Sequence, residues 1–223
     1  MRARETGIVL VVVLLAVVLL SALGVTLVLT TSAETRIAAG FRASEQALYA
    51  ADAGAERALV DLAAVGDWNA VLSGAAMSSF VDGPPGGSRQ LAGGSTIDLI
   101  QVVNQANCQK AAGCSDADLN AVSEDRPWGA NNPRWRLYAY GRFRDLLPAG
   151  AADPGQYLVV MMGDDPAELD NNPDNDGASG NPGAGILFLR AEAFGAGQGH
   201  RAVELTAMHG DGAMRVLSWR EVR

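Results

Sequence analysis

Between Thr6 and Ala33 the chain carries no charged residue, and Ile8 to Thr30 is almost wholly Val, Leu, Ala and Ile. An apolar run of this length exceeds the roughly 20 residues that a helix needs to cross the hydrocarbon core of a bilayer. It is also too long for the apolar core of a secretory signal, about 7–15 residues, and no convincing small-residue cleavage site follows it. The pattern therefore predicts a retained transmembrane helix over residues 8–30. Arg2 and Arg4 immediately precede it, so the excess of positive charge predicts a cytoplasmic N-terminus and a chain that lies on the far side of the membrane after Thr31.

Beyond Thr31 the apolar residues become periodic. Ile37, Phe41, Leu48, Ala51, Ala55, Leu59 and Leu62 recur at helical spacing, and Glu34, Arg36, Arg42, Glu45, Asp52 and Glu56 occupy the other face. No proline occurs before Pro84. One helix is thus expected to run from Ile8 to about Ala64, with residues 31–65 as an amphipathic stalk. Gly40 and Gly54 each cost about 1 kcal/mol relative to Ala in a helix interior, so bending is expected there.

From Gly66 onward Gly, Pro, Ser and Asn become frequent, and helical spacing gives way to alternation. In the stretch from Trp135 to Phe143, Trp135, Leu137, Ala139 and Phe143 alternate with Arg136, Tyr138, Tyr140 and Arg142, which predicts a strand with one wet face. Similar runs occupy Gln156 to Met162, Ile186 to Phe194, Arg201 to Met208 and Arg215 to Val222. The last three are separated by the short Gly-rich links GAGQG and HGDGA, the spacing of antiparallel hairpins. Ser95 to Val103 reads as a further candidate strand, while Leu72 to Gly94 and Ala111 to Asn132 read as mostly irregular. The fold class is α+β: a long N-terminal helix whose second half packs on an antiparallel sheet formed by residues 66–223.

Composition narrows the function. The 223 residues carry a net charge of -8, so the basic footprint of a nucleic-acid binder is missing and nucleic acid is excluded as an expected partner. Cys108 and Cys114 lie in CQKAAGC, in the part that the topology assigns to an oxidising compartment. That context favours a local disulfide over free thiols or a metal site, and the two histidines, His200 and His209, lack metal-type spacing.

The segment DDPAELDNNPDNDGASGNPG gathers Asp164, Asp165, Glu168, Asp170, Asp174 and Asp176 with no basic residue among them. Within it, Asn172, Asp174, Asp176 and Gly177 match the opening of a calcium loop, with oxygen ligands on alternate residues and a glycine at the turn. Gly183 stands where the closing glutamate would be, so Asp170 or backbone carbonyls would have to complete the site, and a solvated acidic loop is the competing expectation. Gly195, Gly197 and Gly199 join two strands and lead into no helix, which removes the phosphate-loop reading. His200 and His209 have no accompanying nucleophile motif. No catalytic residue and no organic cofactor is expected. Trp68, Trp128, Trp135 and Trp219 are expected in core or subunit packing.

The leader MRARETG, the apolar run that follows it, the polar stretch TTSAETRIAAGFR and the Ala51-Asp52-Ala53-Gly54 segment together resemble the pilin and pseudopilin superfamily, and within it the PilX-type pilus assembly proteins. The resemblance covers about the first 60 residues. It implies a structural subunit of a type IV pilus or secretion pseudopilus, partnered by other pilins and by the inner membrane, with a periplasmic domain that can become extracellular in a pilus. It further implies that a prepilin peptidase cuts between Gly7 and Ile8, and that Ile8 is then the N-methylated residue, where phenylalanine or methionine is usual. Pilins ordinarily carry a glutamate at the fifth mature position, understood to pair with a neighbour's N-terminal amine. Here that position is Val12, which points to a minor subunit at the filament tip or in an initiating complex. The alternative expectation is an inner-membrane-anchored binding or adhesion module that joins no filament.

Overall fold

In the computed structural model, the described residues are 5–177, 183–196, 199–209 and 213–222. The leader residues Arg2 and Arg4, the turn residue Gly197 and the middle of the HGDGA link lie outside them. Two compact units are present, Met1–Arg42 and Ala43–Arg223.

The first unit consists of helix α1 (Glu5–Leu62) up to Arg42. Its apolar side chains from Ile8 to Leu29 are all exposed, as are Ile37 and Phe41. Four threonine hydroxyls within this stretch are satisfied internally. The hydroxyls of Thr26, Thr30, Thr31 and Thr35 each donate to the carbonyl four residues earlier, at 2.8–2.9 Å. Such back-bonding lets a hydroxyl lie in an apolar surround without an orphaned donor.

In the second unit, the remainder of α1 buries a face of mostly small residues: Ala47, Ala50, Ala51, Ala55, Ala58 and Leu62 are all 0–1% exposed. Small side chains bring the helix axis close to the sheet. At Gly54 a Cβ would lie 3.4 Å from Leu158 Cδ1 and 3.5 Å from Val160 Cγ2, so the helix backbone passes close to β4 here and leaves room for little more than a methyl group. The helix is followed by a short helix α2 (Trp68–Leu72), whose start is capped by Asp67.

Two short strands, β1 (Ser88–Gln90) and β2 (Thr96–Asp98), pair with each other and lead into helix α3 (Leu99–Cys108). The region read as a strand from Ser95 to Val103 is therefore largely helical. Asp98 explains the difference, because its carboxylate accepts from the amides of Ile100 (2.9 Å) and Gln101 (3.1 Å), an N-cap that starts a helix where alternation alone suggested a strand. A single turn, α4 (Asp116–Leu119), opens with a Ser115–Asp118 capping box. The disulfide Cys108–Cys114 joins the end of α3 to the approach to that turn.

The main sheet is an antiparallel meander of β3 (Arg136–Arg142), β4 (Tyr157–Asp164), β5 (Ile186–Phe194), β6 (His200–His209) and β7 (Met214–Val222), in that spatial order. All eight residues of β4 are buried. Leu158, Val160 and Met162 face α1, whereas Tyr157, Val159 and Met161 pack with Leu99, Val102 and Trp135 on the opposite face. The sheet is thus covered on both sides near β3 and β4.

This corrects the expectation of a wet face on β3. Tyr138 and Tyr140 are each 1% exposed. A register shift between Leu137 and Ala139 breaks the simple alternation and sends Tyr138 and Tyr140 into opposite layers. The segment before β1 also lies along the outer edge of β3, with Tyr140 N donating to Phe80 O at 2.9 Å.

Candidate functional site

The acidic segment begins where β4 ends. Its carboxylates do not gather as alternate residues of one loop: Asp164 closes the strand, Glu168 ends the 3-10 turn Pro166–Glu168, and Asp176 precedes β5. One oxygen from each of these three side chains lies within 4.8 Å of the others. Asp164 is 3% exposed and Glu168 2%. Asp176 Oδ1 accepts from Gly185 N (2.7 Å), and its own amide donates to Asn69 Oδ1 (2.7 Å), which fixes the loop against α2.

The electrostatics follow from that burial. Loss of solvent, then the neighbouring charge of Glu168 and a hydrogen bond with it, push Asp164 up to about 8. Desolvation also raises Asp165, Glu168 and Asp176 above the ordinary carboxylate range.

Of the four residues expected as calcium ligands, the structure brings Asp176 into this group. Asp174 instead forms an ion pair with Arg136 at 2.7 Å, and Asp170 Oδ1 accepts from Asn172 N at 2.8 Å as a local turn. Asp164 and Glu168, counted only as part of an acidic stretch, are the residues that alternation missed. The signal for Asp164 was present: a carboxylate that ends the otherwise apolar run YLVVMMG is expected to be buried.

A second polar feature occupies the sheet face away from α1. Arg190, Glu204 and Arg220 stand in direct cross-strand register on β5, β6 and β7. Arg190 bonds Glu192 (2.6 Å) and Glu204 (2.7 Å), and Arg220 Nε bonds Glu204 at 2.9 Å. His200, stacked on Phe194, holds Glu192 at 2.9 Å. Burial works against the charge on Glu192, but the His200 bond and the Arg190 charge outweigh it and hold the carboxyl below its usual range. This ladder floors a groove of about 780 Å³. At one end of it Arg126 is bonded to the carbonyls of Ala106, Leu119 and Pro133, and burial lowers its pKa to about 10.

At the other end of the chain, Gly7 and Ile8 lie within α1, with Ile8 and Val12 exposed. No acidic side chain occurs between Glu5 and Glu34. Residues 6–56 match the PilX N-terminal family. This PilX N-terminal region spans the apolar segment and continues into the part of α1 that packs on the sheet, through Asp52 and Gly54. With the antiparallel sheet that follows, it gives the chain a pilin-like α+β architecture. No curated protein and no solved structure matches the chain.

Proposed function

We propose that this chain is a minor pilin-type subunit that serves in the assembly of a type IV pilus or a related pseudopilus. The observation that carries the reading is the PilX N-terminal match over residues 6–56, which falls on a helix that is apolar and exposed at its start and sheet-packed at its end. The exposed apolar part anchors the subunit in the inner membrane in a single pass, N-terminus inside, and later packs against other pilins. The sheet domain is periplasmic, and extracellular once in a filament. A prepilin peptidase removes residues up to Gly7 and leaves Ile8 as the mature, N-methylated end.

Val12 supports a low-copy place at the tip or in the initiating complex. A shaft subunit needs a carboxylate to pair with the amine of its neighbour, because a charge left unpaired in an apolar surround is costly. Val12 offers none, so the subunit fits best where that pairing is not repeated. The role is structural, with no reaction to catalyse.

The experiment is to raise antibodies to the sheet domain and label sheared filaments by immunogold. Sparse label, or label at one end, agrees with the proposal. Dense label along the shaft would contradict the minor role, and retention of all the protein in the inner membrane would favour a plain anchored binding module.

A further inference from the structure

We propose that the outer edge of β7 is a docking site for an extended segment of a partner protein, which adds to the sheet as a further strand and whose side chains alternate apolar and acidic. The five-stranded sheet has two edges, β3 and β7, and the chain treats them differently. Along β3 runs the segment from Ser78 to Val81: Ser78 N donates to Tyr138 O (3.0 Å), Tyr140 N donates to Phe80 O (2.9 Å), and Val81 bridges to Tyr140. Among the described residues, no strand or bridge pairs with the outer side of β7. An open edge presents a row of amides and carbonyls, and another extended backbone is the group that satisfies both in alternation.

A second observation is the make-up of that edge. Open edge strands are ordinarily kept very short or interrupted by proline. β7 is nine residues long, contains no proline, and is exposed from Arg215 to Arg220. Val216, Leu217 and Trp219 are 47%, 47% and 48% exposed, a run of apolar surface of the kind that marks an interaction site. Beyond its single register shift, Ser218 to Val222 pair with β6 residue for residue, so the outer groups of this stretch form a regular ladder.

The side chains on the two faces of β7 select the partner. Val216 and Trp219 lie opposite Ala207 and Leu205, which belong to the core beneath α1, so that face offers apolar contact. Arg215 and Arg220 lie opposite Met208 and Glu204 on the other face, the side of the groove. Arg215 is exposed and forms no ion pair among the described residues. Residues directly opposite each other on paired strands share a face, and opposite charges there are stabilising. A strand that alternates apolar residues with Asp or Glu therefore sets the first beside Val216 and Trp219 and the second beside Arg215 and Arg220. A second copy of this chain fits less well, because β7 paired with its own image would line the groove side with arginines from both copies and a carboxylate from neither strand. The inference concerns the sheet domain alone and does not rest on the pilin reading.

The test uses the full-length protein in detergent and a short, fluorescently labelled peptide of alternating Val and Glu, with binding followed by anisotropy and hydrogen exchange read by mass spectrometry in parallel. Saturable binding is expected, with exchange slowed in Met214–Val222 and unchanged in Arg136–Arg142. Arg215→Glu, at an exposed position, is expected to weaken binding at least about threefold, and Lys in place of every Glu in the peptide at least about tenfold. Methylating the peptide's backbone nitrogens keeps the side chains and removes the donors, and should abolish binding. Absence of saturable binding to wild type would overturn the proposal, as would slowed exchange outside β7 or undiminished binding of the methylated peptide. Equal binding of the Lys peptide would overturn the assignment to an acidic partner. Slowed exchange in β7 on raising the protein concentration alone would assign the edge to a second copy and overturn the assignment to a different chain.

Discussion

The indole of Trp219 on β7 donates to Asp52 Oδ1 on α1 at 3.0 Å, which ties the last strand of the sheet to the helix that opens the chain. Asp52 lies within the PilX N-terminal match. The carboxylate on the polar face of a stalk helix therefore has a specific use in this fold, as an acceptor for the distant C-terminal strand. Because Trp219 is 48% exposed, water competes for the bond. Trp219→Phe and Asp52→Ala are each expected to cost about 0.5–1.5 kcal/mol. In a double-mutant cycle followed by urea unfolding the two losses should not add. Full additivity would show that the bond contributes nothing.

Gly54 shows a second use of the same short segment. Leu158 and Val160 come close enough to fill the space a side chain would take, so size and not helix propensity governs this position. Gly54→Leu is expected to destabilise the domain by about 1–3 kcal/mol through overpacking. Gly54→Ala should be neutral to stabilising by up to about 1 kcal/mol, since its methyl reaches only ordinary contact with Leu158 and Val160 while helix propensity improves. Thermal melts of the two variants distinguish packing from propensity.

The half-buried arginine on the sheet face away from α1 gives a larger prediction. Arg190 is the shared partner of Glu192 and Glu204, whose side chains are 6% and 5% exposed. Among the described residues, its removal leaves Glu192 paired with His200 and Glu204 paired with Arg220. Arg190→Ala is expected to destabilise the fold by about 3–5 kcal/mol, the usual penalty for breaking a buried charge network by one member. Chemical denaturation measures it, and a change below about 1 kcal/mol would show that solvent reaches the ladder freely.

Stability should fall as pH rises above the ordinary carboxylate range. Burial, with Glu168 and Asp176 nearby, holds the Asp164 carboxyl protonated up to about 8 in the folded chain, against 3.8 for the free group. Between those values the folded state holds a proton that the unfolded chain has released, so unfolding becomes easier with each step upward in pH. In chelator-treated protein the melting temperature is expected to decline from about pH 4 to about pH 8, and the decline should shrink in Asp164→Asn. An unchanged slope in that variant would assign the effect to other groups.

Much of the fold could be read from spacing. The long apolar run, the switch to helical periodicity and the run Ile186 to Phe194 correspond to α1 and β5 almost residue for residue. Departures arise where long-range packing decides. The second face of β3 is dry because α3 and the segment through Leu91 cover it, and no local pattern announces a covering element so remote in sequence. The strand expected at Ser95 to Val103 yields to the Asp98 cap. The acidic group was legible as an acidic stretch but not as a geometry, since Asp164, Glu168 and Asp176 meet only after β4 and the turn at Pro166 are in place.

The central claim is that this chain is a pilin-type subunit, and its most direct test is the intact mass of the protein extracted from membranes of cells with and without prepilin peptidase. The account predicts that the peptidase-containing cells yield a chain beginning at Ile8, lighter by the residues Met1–Gly7, and that cells lacking the enzyme yield the full leader. An unprocessed Met1 in both strains would contradict it and leave a bitopic membrane anchor with a sheet domain outside.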